Sequence, residues 1–207
     1  MNTTHDVGLT MQAAIRERVE SSIGVKQALL ADDALLRQTE ALVRACVAAL
    51  RAGGKVIFAG NGGSFADAQH LSAEFTSRFM VDRAPLASLA LGTNNSAISA
   101  IGNDYGYEQV FARELQSMGK AEDVFIPIST SGNSPNILAA ADVGVAKGMT
   151  VVAWTGQSGG KLKERCECIR IPSSDTARIQ ECHIMLGHIL CGLIEAELFP
   201  ERTRRVS

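Results

Sequence analysis

A chain of 207 residues, 46% apolar and 20% charged, can bury a sizeable core and reads as one soluble domain spanning residues 1–207. Its net charge of −2 lacks the basic excess that phosphate-backbone binding needs, which argues against nucleic acid as a partner and leaves small metabolites open. The N-terminus carries no secretory-type apolar core, and no run approaches the roughly 18 uncharged apolar residues of a membrane span. A cytoplasmic protein that does not engage a membrane is therefore expected.

From about Leu9 to Arg51 apolar residues recur at helical spacing: Ile15, Val19 and Ile23, then Leu35, Leu36, Leu42, Val43, Cys46 and Leu50. This predicts two helices broken near Ala31–Asp33, an N-terminal segment of about residues 1–52 ended by Gly53-Gly54. An α/β core over about 53–199 follows. Its short apolar runs are KVIFAG (55–60), SLALG (88–92), DVFIPIS (123–129), TVVAWTG (150–156) and CIRIP (168–172). Between and after them, helix-compatible stretches cover roughly 64–80, 94–101, 107–118, 135–147, 160–165 and 176–198. The alternation predicts a doubly wound α/β fold, a parallel five-stranded sheet flanked by helices on both faces. Ligands of such sheets bind where strands end and helices begin.

Two of those junctions suit an anion. In GNGGSFADAQHLSAEF (60–75), Gly60, Gly62 and Gly63 permit a tight turn and close backbone approach, with Ser64 as cap of the next helix. The turn lacks the Lys of a Walker loop and the spacing of a dinucleotide fingerprint, so nucleotide cofactors lose ground. In ISTSGNSPNILAAADVGVAKG, Ser134 stands at the N-cap, Pro135 at the first helical position and Gly148 just past the end. Ser129, Thr130 and Ser131 before it can converge with backbone N–H groups on a phosphate at the helix N-terminus. The alternative is a polar turn with a capping serine.

His70 and Glu74 lie four residues apart, about 40° around a helix, and can address one ion or substrate, although a surface hydrogen-bonded pair has the same spacing. The last helix, ARIQECHIMLGHILCGLIEAELF, sets Gln180, Glu181, His183 and His188 among apolar residues that must be buried, where polar groups need partners. The five cysteines, Cys46, Cys166, Cys168, Cys182 and Cys191, are odd in number and scattered, as reduced thiols would be.

Taken together, AGNGGSFADAQHLSAEF, AIGNDYGYE, ISTSGNSPNILAAA and ARIQECHIMLGH resemble the bacterial phosphoheptose isomerases of the sugar-isomerase (SIS) domain family, over about Lys55 to Phe199. The resemblance implies one zinc ion per subunit on His70, Glu74, Gln180 and His188, donors of a type that suits zinc. It further implies sugar-phosphate contacts by Asn61, Gly62, Gly63, Glu74, Asn103, Asp104, Ser129, Thr130, Ser131, Ser134 and Gln180. Spacing alone would choose Glu181, about 20° from His188 around the helix, over Gln180 at about 80°, so Glu181 stays the alternative ligand. His183 is assigned to the core or to a subunit interface.

The implied reaction is aldose–ketose interconversion of sedoheptulose 7-phosphate, an early step of ADP- or GDP-heptose biosynthesis that can serve lipopolysaccharide, capsule or specialised metabolites. Proton transfer through an ene-diol needs a base, a group that moves oxygen-bound protons and an electrophile. Glu74 is the candidate base, His188 the candidate acid, and zinc the Lewis acid. A non-catalytic regulator of the replication initiator-associating type is the alternative; relatives of that kind depart from the zinc pattern in the last helix. The apolar lead-in and last helix suggest a homo-oligomer, and the resemblance points to a homotetramer built through the N-terminal helices.

Overall fold

A computed structural model of the chain describes residues 4–203, with side chains over 10–202. The side chain of Leu9 and residues 1–3 and 204–207 of the domain assignment lie outside the described residues. The N-terminal pair is α1 (Thr4–Leu30) and α2 (Asp33–Arg51), broken where expected. Asp32 caps α2, its carboxylate accepting from the N–H groups of Ala34 and Leu35 at 3.0 Å each.

The core follows as β1 (Val56–Ala59), α3 (Gly63–Thr76), β2 (Ser88–Ala90), α4 (Asn95–Tyr105), α5 (Val110–Met118), β3 (Val124–Pro127), α6 (Pro135–Ala146), β4 (Thr150–Gly156), β5 (Glu167–Ile171), α7 (Thr176–Leu198) and the short α8 (Pro200–Thr203). Every strand pair is parallel, in the order β2-β1-β3-β4-β5. The chain leaves β1 toward one edge to form β2 and returns past it to β3. The crevice at the carboxyl ends of β1 and β3 is therefore the topological switch point, where ligands of such folds bind.

Strand side chains alternate between two cores, as a sheet covered on both faces requires. Val56, Phe58, Val124, Ile126, Val152, Trp154, Ile169 and Ile171 face α2, α3 and α7. Ile57, Ala59, Phe125, Val151, Ala153 and Cys168 face α5 and α6. The outer face of α1 has no such cover: Met11, Ile15, Val19 and Ile23 recur every fourth residue at 48–62% exposure. Among the described residues no helix is long and apolar enough to cross a membrane.

Several local expectations need correction. The helix expected over 64–80 is α3, which stops at Thr76, and an irregular strap runs from Ser77 to β2. The segment over 107–118 opens with a 3-10 turn, Tyr107–Gln109, and the expected helix over 160–165 is a single 3-10 turn, Leu162–Glu164. Ser64 does not cap α3; Gly62 occupies the cap position at φ 56°, and Ser64 is buried within the first turn. Ser134 does stand at the N-cap of α6, but its hydroxyl turns to Ser129 Oγ, 3.1 Å away, and makes no cap bond.

Candidate active site

The glycine turn between β1 and α3 is shaped by what lies against it. Gly62 adopts the left-handed backbone that favours glycine. A Cβ on Gly63 would stand 2.5 Å from Gln180 Nε2, so glycine there leaves room for that amide, which a larger residue would push aside. Asn61, between Gly60 and Gly62, is tied across the switch point to Asn136 in the first turn of α6. Each amide donates to the other's carbonyl oxygen at 2.9 Å, and Tyr107 adds its hydroxyl to Asn61 Oδ1 at 3.3 Å. The loops after β1 and β3 are thus joined.

Two turns along α3, His70 and Glu74 meet His188 of α7. His70 Nε2 lies 3.3 Å from Glu74 Oε1 and shares a hydrogen bond with His188 Nε2 at 2.9 Å. One donor atom from each of the three residues falls within 4.8 Å of the others, and no second such grouping of His, Cys, Asp and Glu occurs among the described residues. Ligands around a tetrahedral zinc at 2.0–2.1 Å stand about 3.3 Å apart. The spacing and the N/O donor set therefore fit such an ion with a small separation of the two imidazoles. Asp67, one turn earlier on α3, has its carboxyl pushed up by burial, and the charges of His70 and His188 oppose that shift.

The two helices approach closely because α7 presents a glycine to α3. Gly187 packs on Leu71, so the residues beside them, His188 and His70, come into contact. The close approach at Gly187 sets the spacing of the trio.

Gln180 and Glu181 part company. Glu181 accepts from Ser22 Oγ at 2.6 Å and pairs with Arg178 at 2.8 Å and Lys26 at 3.6 Å, so it clasps α1 to α7. Gln180 sits on the glycine turn, about 12 Å along the axis of α7 from His188. His183 is a core residue: fully buried, its Nε2 lies 3.3 Å from the carbonyl of Thr155 and its ring 5.9 Å from Trp154. Burial pushes its pKa down to about 4, so the ring is neutral. All five cysteines are free thiols.

The serine loop frames a separate polar cleft of about 270 Å³, lined by Thr130, Ser131, Ser158, Ser173 and Thr176. Ile179, beside Gln180 in the chain, also lines this cleft. Asn103 and Asp104 stand apart on α4. They are exposed, Asn103 donates to Asp104 at 2.8 Å, and among the described residues no hydrogen bond joins them to the trio or to the serine loop.

Sequence reasoning missed Asn136 and Tyr107, which hold Asn61, and the strap residues Phe79 and Arg83 with Glu195 of α7. Phe79 stacks on His188 with ring centroids 5.6 Å apart and planes 11° from parallel. The available signal was Glu195, a carboxylate within the apolar last helix, whereas Arg83, next to Asp82, gives none.

Residues 26–156 match the model of the SIS domain. Among curated proteins, the phosphoheptose isomerase of Aneurinibacillus thermoaerophilus is 50% identical over 190 residues, covering 91% of this chain and 96% of that protein. That of Burkholderia pseudomallei is 53% identical over 176 residues, covering 84% and 89%. Among solved structures, a phosphoheptose isomerase from Neisseria gonorrhoeae superposes with a TM-score of 0.83 at 39% identity, covering 90% of this chain and 99% of that one.

Proposed function

The chain belongs to the phosphoheptose isomerases of the SIS-domain family, aldose–ketose isomerases of heptose biosynthesis, and from that premise we propose that it interconverts sedoheptulose 7-phosphate and D-glycero-D-manno-heptose 7-phosphate with a zinc ion. The observation that carries the reading is the convergence of the Glu74 carboxylate with the imidazoles of His70 and His188. Gln180 is the proposed fourth donor, because Glu181 is already committed to Ser22, Arg178 and Lys26. Bound there, zinc would supply Lewis-acid polarisation of the substrate carbonyl.

The chain's own residues supply the rest. Glu74, with 19% of its side chain exposed, takes the proton from the carbon beside the carbonyl and returns it to the neighbouring carbon. His188 moves the proton between the two oxygens. The hydroxyls of Ser129, Thr130, Ser131 and Ser134 and the N-terminus of α6 hold the phosphate at a distance from the reacting carbons, which fixes the carbon chain for transfer. Asn61, Gly62, Gly63 and Gln180 line the path between, and Asn103 and Asp104 complete the sugar contacts.

His70 is 49% exposed, so an ion held by the trio of one chain would stand near the surface. Assembly into a homotetramer, for which the bare apolar stripe of α1 offers a contact face, is proposed to enclose it. Such a chain works in the cytoplasm on a product that can pass to lipopolysaccharide or other heptose-containing compounds.

The test is to incubate zinc-loaded protein with sedoheptulose 7-phosphate and follow aldoheptose 7-phosphate, with Glu74→Gln and His188→Ala as controls. Turnover that the two substitutions abolish supports the assignment. Turnover that survives both removes the residue roles, and inactivity combined with tight capture of a protein partner would favour a binding role.

A further inference from the structure

The strap that leaves α3 returns to the site under the control of one buried ion pair. Glu195, on α7, accepts from the backbone N–H groups of Phe79, Met80 and Val81 at 3.2, 2.7 and 3.0 Å and from Arg83 Nε at 2.9 Å. Arg83 spends its remaining donors on the carbonyl oxygens of Glu74 (2.8 Å), Phe75 (2.8 Å), Ser77 (3.3 Å) and Ala84 (3.1 Å). Its side chain is 2% exposed and that of Glu195 is 1% exposed. Helix-end carbonyls have no partner within their own helix, so the guanidinium both satisfies the end of α3 and neutralises its negative pole.

Stability alone does not call for this arrangement, because an apolar pair of similar volume often stabilises a core as well as a buried ion pair does. What the charges add is geometry. Three N–H groups of the strap are set on one carboxylate, and the last turn of α3, which carries Glu74, is set on the guanidinium. Glu195 lies seven residues past His188, about 20° from it around α7, so the carboxylate and the imidazole share a helix face. The strap held by the first lays Phe79 flat against the second, while the edge of the His188 ring meets His70 at 83° with centroids 5.2 Å apart.

We propose that Arg83, Glu195 and Phe79 form a positioning device for His188: the ion pair fixes the strap, and the strap's phenyl ring fixes the plane of the imidazole that faces the metal. This rests on the zinc reading of the trio. None of the three is a catalytic residue; each acts through His188 or through the end of α3.

The test uses the full chain loaded with Co²⁺, whose visible absorption reports coordination directly. Phe79→Leu keeps an apolar side chain and removes the stacked ring; Phe79→Tyr keeps the ring. Phe79→Leu should weaken Co²⁺ binding about tenfold, alter the visible bands and lower kcat, with KM for the sugar phosphate unchanged because the phosphate is held elsewhere. Phe79→Tyr should restore all of these. Glu195→Gln should reproduce the Co²⁺ defect together with a lowered Tm, and combining it with Phe79→Leu should add little further loss of affinity. Wild-type Co²⁺ affinity and spectrum in Phe79→Leu would overturn the inference while leaving the isomerase reading intact. A wild-type chain that neither binds Co²⁺ nor turns over would overturn the zinc reading and this inference with it.

Discussion

Replacing Gly187 by alanine tests whether the spacing of α3 and α7 governs the metal trio. The new Cβ would lie 2.5 and 2.6 Å from the two methyl carbons of Leu71 and 3.1 Å from its Cγ. Carbon atoms pack at about 3.5–4.0 Å, so something must move by about 1 Å. Leu71 is fully buried, and the methyl straddles both arms of its isobutyl group, so rotation about the last bond clears one arm and not the other. Overpacking of this kind costs about 1–3 kcal/mol. Alanine's helix propensity returns up to about 1 kcal/mol. The net loss of up to about 2 kcal/mol corresponds, for a chain of this length, to a Tm lower by up to roughly 4–8 °C. The same displacement parts His70 from His188, and a site that tolerates about 0.5 Å should lose about tenfold or more in metal affinity. Thermal unfolding of the metal-free protein and Co²⁺ titration measure the two effects separately. A Tm above that of the wild type, with unchanged Co²⁺ affinity, would show that Leu71 yields freely and refute the reasoning.

Further outcomes follow from other sites. His183 excludes a proton when folded, with its pKa near 4 against about 6.5 when unfolded, so its contribution is complete above pH 6.5 and is lost as pH falls toward 4. The loss reaches about 3 kcal/mol, and urea unfolding from pH 7 to 4 should show a shallower decline for His183→Phe than for the wild type. Asp123, 1% exposed, accepts from the backbone N–H groups of Lys55 and Lys120 and from Lys55 Nζ at 2.7–2.9 Å; Asp123→Ala should cost about 3 kcal/mol by chemical denaturation. Gln180→Ala should weaken zinc binding about tenfold or more in a chelator competition, whereas Glu181→Ala should leave zinc affinity within twofold and lower Tm instead.

The parts of this molecule legible from its sequence are those written locally. Helical spacing reveals α1 and α2, alternation of apolar runs with helices reveals the parallel sheet, and Pro135 and Gly148 mark the limits of α6 because backbone geometry at those positions depends on the residue itself. His70 and Glu74 share a face by spacing alone. Their meeting with His188 came from resemblance, since no local rule says which face of α7 turns toward α3. Glu181 shows the limit well: its angle to His188 favoured it as a ligand, and only the packing of Ser22 and Lys26 of α1 against α7 reveals the other partners its carboxylate has. Arg83 and Glu195 are 112 residues apart, and nothing near either announces the other. Ser64 failed as a cap because a glycine with left-handed backbone could start the helix two residues earlier.

The reciprocal amides of Asn61 and Asn136 have a consequence for discrimination between sugars. If Asn61 contacts the substrate as proposed, a hydroxyl that donates to its Oδ1, which already accepts from Asn136 and Tyr107, trades one bond for another and gains little net affinity. An analogue lacking that hydroxyl simply leaves the two amides clasped, with no orphaned group to penalise it. A reader of this design, unlike one built from waiting donors, is forgiving at that position. Tolerance of deoxy substrates there would be the thermodynamic signature of a latch that closes on itself.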